Sequence, residues 1–147
     1  MQAEVVNKMN LSDLDILQFI PQRDPMVMVS GLQWASDHAV TTWFLIKEGN
    51  IFLKDGRFRE EGLIENIAQS GAAMNGYRAM ANKEPVKNGY IGGIKNLEVH
   101  SLPETGVRLT TSVTETYHVM DTSIIVGEVR VGDQLIARCE MKVFLQP

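Results

Sequence analysis

The sequence predicts an α+β fold in which one long helix packs on a curved, mostly antiparallel sheet. Three observations carry that expectation. A single long helical pattern, EGLIENIAQSGAAMNGYRAMAN, stands alone in the middle of the chain. A hairpin pattern precedes it and about four strand patterns follow it. No strand–helix–strand alternation is present, which excludes a doubly wound parallel sheet. The 147 residues suffice for one domain with a proper core, so residues 1–147 are read as one domain.

The elements follow in order. LSDLDILQFI reads as a short helix: Ser12 can cap it, Asp15 sits where a capping box wants an acid, and Pro21 ends it. MVMVSGLQWAS and AVTTWFLIKEGN, joined by the polar turn Ser36-Asp37-His38, read as a hairpin. Val40, Thr42, Phe44 and Ile46 fall on one face of its second strand, and Ala39, Thr41, Trp43 and Leu45 fall on the other. Bulk on both faces implies burial on more than one side. In the long helix Ile64, Ile67, Ala68, Gly71, Ala72 and Asn75 recur at spacings of three and four. The middle of that stripe is small, which lets a sheet wrap closely round it. Gly71 and Gly76 cost about 1 kcal/mol each against alanine, and close packing is the compensation. Beyond the helix, GYIGGIKNLEVHSL, VRLTTSVTETYH, SIIVGEVRV and QLIARCEMKVFLQ read as strands, with turns at 103–106, near Met120-Asp121 and at Gly132-Asp133.

Composition narrows the function classes. The chain is 44% hydrophobic and 22% charged, with no low-complexity segment or internal repeat. A net charge of −4 argues against a nucleic-acid binder working by charge alone. One cysteine, Cys139, allows no intramolecular disulfide and no cysteine-based metal site. It shares the parity of Leu135, Ala137, Met141 and Val143, which makes it a small core residue. MQAEVVNKMN has no signal-peptide run and no segment approaches the ~20 apolar residues of a membrane span, so the expected compartment is the cytoplasm.

Phosphate loops, H-E-x-x-H, G-x-S-x-G and EF-hand patterns are absent, and no metal or cofactor is expected. His38 and His118 at turns, and His100 in a strand beside Glu98 and Ser101, are weak candidates for catalysis. Glu65 is more informative. Glu60 and Glu61 are explained as solvated first-turn acids at a positive helix end. Glu65 lies about 100° round the helix from Ile64, on the flank of the apolar stripe. Gln69, one turn on, can hydrogen-bond to it. A carboxylate at such a border can serve as an acid or base.

Three segments carry a family resemblance. GLIENIAQSGAA resembles the central-helix motif of the β-hydroxyacyl-acyl carrier protein dehydratases, roughly G-x-L-I-x-E-x-(M/I)-A-Q. IPQRDPMVMVSGL resembles an earlier motif of that family, I-P-H-R-x-P-(F/M)-L-L-V-D. IGGIKNLEVHSLPETGVRL resembles its later glycine-centred strand and turn. The order and spacing match over about residues 11–145, and together the three segments point to the hot-dog fold. The resemblance implies a two-chain enzyme with sites across the interface. A histidine of one chain removes the α-proton of a 3-hydroxyacyl thioester on acyl carrier protein, and the helix glutamate of the other protonates the departing hydroxyl. A backbone N–H near the glycine segment polarises the thioester carbonyl. On this chain the glutamate falls on Glu65, the motif glutamine on Gln69, and the carbonyl contact on Gly92 or Gly93.

The departures matter as much. Gln22 stands where the family has histidine, and a glutamine amide cannot act as a general base. The family's terminal Asp falls on Ser30. The loop KDGRFREEG looks closer to a divergent branch associated with aryl-polyene-type pigment synthesis, in which two different hot-dog chains are thought to pair. Three readings therefore stand. The first is a dehydratase-like subunit of fatty-acid or polyene synthesis, working as a homodimer or a heterodimer. The second is an acyl thioesterase using Glu65, with Gln22 orienting a carbonyl or a water. The third is a non-catalytic acyl-binding or scaffold subunit. An acidic carrier protein would need a basic patch, for which Lys54, Arg57, Arg59, Arg78, Lys83 and Lys87 are available; solvated surface charge explains them equally well.

Overall fold

A computed structural model describes residues 11–146. Its centre is one 22-residue helix, α1 (Glu60–Ala81), laid against a six-stranded sheet. The sheet order is β1-β2-β6-β7-β8-β5, from β1 (Gly31–Ala35), β2 (Ala39–Leu45), β5 (Gly89–Val99), β6 (Arg108–Val119), β7 (Thr122–Val131) and β8 (Gln134–Leu145). Every pairing is antiparallel. The remaining strands, β3 (Leu53–Lys54) and β4 (Arg57–Phe58), form a separate small hairpin in the loop before α1 and seat Phe58 in the core.

The first element differs from expectation. LSDLDILQFI forms two 3-10 turns, Leu11–Asp13 and Ile16–Gln18, not one short helix. Asp15 caps the second turn by accepting a hydrogen bond from the Leu17 N–H at 3.0 Å. A carboxylate that binds its own downstream backbone favours a turn over helix continuation. The side chain of Ser12 and the segment MQAEVVNKMN lie outside the described part. The first hairpin strand is also shorter than its sequence pattern, since residues 26–30 run irregularly before β1 begins.

Two faces of α1 do different work. Leu63, Ile67, Ala73, Met74 and Tyr77 are buried against Leu109, Val113, Ile125 and Val129 of the sheet. Each large side chain so buried contributes about 1.5–3 kcal/mol. Close approach is what the small residues provide. A side chain on Gly71 would meet Ile125 at 2.8 Å, and one on Gly127 would strike Ile67. At Gly76 a Cβ would run into the carbonyl of Phe19, so the chain leading to Gln22 crosses the helix in direct backbone contact. Along the sheet Cys139 is fully buried between Ala137 and Met141 in parity, and burial pushes its thiol up to about 11. It is a core residue and not a nucleophile.

Gly76→Ala is expected to destabilise the protein by about 1–3 kcal/mol, because a backbone carbonyl cannot yield as a side chain can. Gly93→Ala, where an added Cβ meets nothing within 4 Å, is expected to change stability by less than about 0.5 kcal/mol. Urea denaturation of the two variants checks the contrast.

Candidate active site

The site is built on the small-residue side of α1. Glu65, Ala68, Gly71, Ala72 and Asn75 form one stripe along the helix and one wall of a cavity of about 240 Å³. Ser123 and Ile125 of β7, with Val143 and Leu145 of β8, make the opposite wall, and Gly89 to Ile91 of β5 rim it. Gln22 closes one side. The small stripe seen in the sequence therefore lines a cavity, as well as allowing the sheet to approach.

Gln22 reaches this wall because the segment before it is tied down. Arg23 folds back, its guanidinium donating to the carbonyls of Ile20 at 2.8 Å and Gln22 at 2.7 Å. Downstream, the Gln69 side chain grips the backbone of the same segment. Its Oε1 accepts from the Met28 N–H at 2.6 Å and its Nε2 donates to the Met26 carbonyl at 2.7 Å. Asn66 adds a bond from Nδ2 to the Met28 carbonyl at 2.7 Å. Gln69 is thus fully buried and positions the Gln22 segment; its amide is spent there and not on Glu65. Gln22 Oε1 itself is shut off from solvent and has no hydrogen-bond partner among the described residues. Leaving a buried acceptor unmet costs about 1–3 kcal/mol.

The sequence-derived residues are brought together only in part. Glu65, half-buried, and Gln22 share the cavity wall. Phe19 lies at the level of Gly76 and Met26 at that of Gln69, so Gln22 sits beside the middle of α1. Gly92 and Gly93 line a different groove, shared with Tyr117, Val119 and Ile124. It is Gly89 that borders the cavity. Of the candidate carrier-binding cations, Arg57 pairs with Glu104, Arg59 with Glu60 and Arg78 with Glu115.

A second polar centre was not anticipated. Glu115 has a side chain only 2% exposed and receives four donors. Ser123 Oγ donates at 2.6 Å, His118 Nδ1 at 3.1 Å, His38 Nδ1 at 3.2 Å and Arg78 Nη2 at 3.3 Å. Burial by itself pushes this carboxyl up, but the hydrogen bonds from Ser123, His118 and His38 and the charge of Arg78 outweigh it and hold it at about 2. A carboxylate so stabilised is a poor proton acceptor, so the cluster is an anchor and not a base. Parity was the available signal: Glu115 continues the inward series Leu109, Thr111, Val113, where an acid needs partners. Among the described residues no group of three His, Cys, Asp or Glu is placed to hold a metal ion.

One long helix laid on a wide antiparallel sheet defines a protein of the hot-dog fold. The model of the ApeP-like family, described as ApeP dehydratase, matches residues 14–147, and the chain belongs to that family. This is the aryl-polyene branch of the hot-dog dehydratases. Among solved structures, the dehydratase heterocomplex ApeI:P from Xenorhabdus doucetiae is similar with a TM-score of 0.86 and 18% identity, covering 91% of this chain and 92% of that one. An uncharacterised protein from Pyrococcus horikoshii is similar at 0.65 and 8% identity, covering 88% and 92%. A hypothetical thioesterase from Streptococcus pneumoniae TIGR4, solved with coenzyme A, is similar at 0.59 and 9% identity, covering 78% and 84%. At these identities the likeness shows the fold. No curated protein sequence matches the chain. No helix among the described residues is long and apolar enough to cross a membrane.

Two outcomes are expected. Stability supplied by Glu115 is fully present above pH 4.5, the ordinary value of the group, and is lost as pH falls towards about 2. Its full size is on the order of 3 kcal/mol. Chemical denaturation between pH 2 and 6 should show that slope, and Glu115→Gln should flatten it. Gln69→Leu should lower stability by roughly 2 kcal/mol or more, since it leaves the buried Met28 N–H without an acceptor. The same denaturation measurement reads it.

Proposed function

We propose that this chain is one subunit of a cytoplasmic, cofactor-free dehydratase acting on 3-hydroxyacyl thioesters of acyl carrier protein. It supplies Glu65 as the acid, while a second hot-dog chain supplies the histidine base. The observation that carries this reading is the composition of the cavity wall: it holds Glu65 and Gln22 but no histidine. General acid–base catalysis contributes ~10²–10⁴-fold, so a site with an acid and no base is a half-site. The Gln22 oxygen, without a partner among the described residues, is consistent with a site completed from outside the chain.

The partner's place is suggested by β5. This strand ends the sheet, and its residues 89–98 are all exposed. Tyr90, Ile91, Ile94 and Leu97 are 56%, 43%, 39% and 42% exposed. A long, apolar open edge invites strand pairing. It also borders the cavity, so a chain added there reaches Glu65. The similar ApeI:P protein is a dehydratase heterocomplex, which is consistent with a mixed pair here. A second reading, hydrolysis of the thioester by Glu65 with Gln22 orienting water, draws on both residues lining one cavity of one chain.

Co-expression with a histidine-bearing hot-dog homologue should give a mixed complex that dehydrates 3-hydroxyacyl carrier substrates, while the chain alone is inactive. Glu65→Ala should reduce the mixed complex's rate by ~10²-fold or more. An unchanged rate would sink the composite site. Release of free thiol from acyl thioesters by the chain alone would favour hydrolysis, since dehydration releases none.

A further inference from the structure

The sheet has a second face, turned away from α1. Ser123 and Ile125 point to the helix side, so their neighbours Thr122 and Ile124 point outward. Register then lays out the outer face as cross-strand rows. At the end nearest the β6–β7 turn, one row runs Val119, Thr122, Phe144, Tyr90. The next runs Tyr117, Ile124, Lys142, Gly93. Tyr90, Tyr117, Val119 and Phe144 are 56%, 51%, 47% and 40% exposed, and Met120 in the turn is 87% exposed. Further along, the face is charged: Glu128 sits 3.4 Å from Arg130 and 3.5 Å from Arg138. The apolar side chains are gathered in one patch, and such patches mark interaction surfaces.

Two glycines make a hollow beside the patch. The Phe144 ring lies over Gly92, where an added Cβ would strike it. Gly93 is open, and an added Cβ there would meet nothing within 4 Å. Tyr117, at the other end of the same row, borders the same groove. A protruding ring and a hollow thus stand at one height on one face, which a second copy of that face can match. A two-fold axis along the strands, between β7 and β8, lays β6 of one copy over β5 of the other. Each row then faces itself reversed. Tyr117 falls on Gly93, Val119 on Tyr90, and Lys142 on Ile124 in place of a second lysine. In the charged rows Glu128 falls on Arg138, so opposite signs meet. The three aromatic rings leave roughly 300 Å² open per copy. With Val119 and Met120 added, two copies can bury about 1,000 Å², the size a specific interface needs.

We propose that this outer face pairs two copies of the chain back to back, with Tyr117 of each seated over Gly93 of the other. The pairing uses the face of the sheet. It leaves the edge of β5, whose hydrogen-bonding groups lie in the sheet plane, free for a different chain. The surface is separate from Glu65 and Gln22, and the inference does not depend on the dehydratase reading.

Disulfide trapping in the full chain tests the pairing. Gly93 and Tyr117 of one copy are three strand spacings apart, roughly 14 Å, too far to bridge within a chain. Cys139 is buried and does not compete. The chain carrying both Tyr117→Cys and Gly93→Cys should form covalent dimers on mild oxidation, linked 93 to 117 in peptide mass spectrometry. Either substitution alone should give none. Sedimentation equilibrium is the second readout. Tyr117→Asp removes the ring and Gly93→Phe fills the hollow, and each should weaken self-association roughly tenfold or more. Both positions are open in the chain, so neither change disturbs its packing. Pairing through the β5 edge adds to the mass but does not respond to either change. Absent bridges, bridges between like positions, self-association unchanged in either variant, or a wild-type chain that stays monomeric overturns the inference.

Discussion

The grip of Asn66 and Gln69 on the backbone of Met26 and Met28 is the constraint on which the site depends. These side chains are fully buried, and each satisfies main-chain groups of a segment that has no sheet ladder of its own. The network runs on. Asn66 Oδ1 accepts from Thr111 at 2.5 Å, and Ser70 donates to the Asn66 carbonyl at 2.7 Å, so Thr42 must be the donor in its 2.7 Å bond with Ser70. Polar bonds thereby lock α1 in rotation to β2, β6 and the 26–28 segment at once. A core of aliphatic contacts alone would tolerate small slips of the helix. A satisfied buried network does not, because any slip strands several polar groups together. That rotation decides which side of α1 faces the cavity.

Two requirements meet on α1. One side must fill a dense core, which Leu63, Ile67, Met74 and Tyr77 do. The other must leave space, which Ala68, Gly71 and Ala72 do. Placing Glu65 at the N-terminal end of the small side sets an ionisable group on the wall of a cavity that Lys87 and Asn75 also line. The far end is polar too, but for another reason. Glu115 gathers groups from the β1–β2 turn, β6, β7 and α1 and fastens them round one charge. Its electrostatics serve the scaffold, and Ser123 is the one member of that cluster that also meets the cavity.

Much of this was legible in the chain. Helix and strand periodicities gave the order of elements, the isolation of α1 gave the fold class, and the spacing of Glu65 from the apolar stripe marked it as unusual. Gln22 was noticed because it stands where the resembling family motif carries histidine. What failed to show were matters of partnership. Gln69 looked like a neighbour for Glu65 because helix spacing allows it, yet the backbone of Met26 and Met28 competes for the same amide and wins. Gly92 and Gly93 looked alike from their neighbours, but strand parity and a register shift beside Gly93 turn them toward another groove. His38, Arg78 and His118 are far apart in sequence and meet only because Glu115 lies between the elements that carry them.

The sequence by itself determined the sheet-and-helix composition, the place of Glu65 on the flank of the helix stripe and the presence of a non-titrating side chain at position 22, since these are properties of residue type and local period. Tertiary structure alone decided that Gln22 and Glu65 share one cavity and that Gln69 is a clamp. It alone decided that β5 is left as an open edge and that Ser123 donates to the buried Glu115. Each of these turns on which groups far apart in the chain satisfy one another's hydrogen bonds, and pairing at a distance has no local signature.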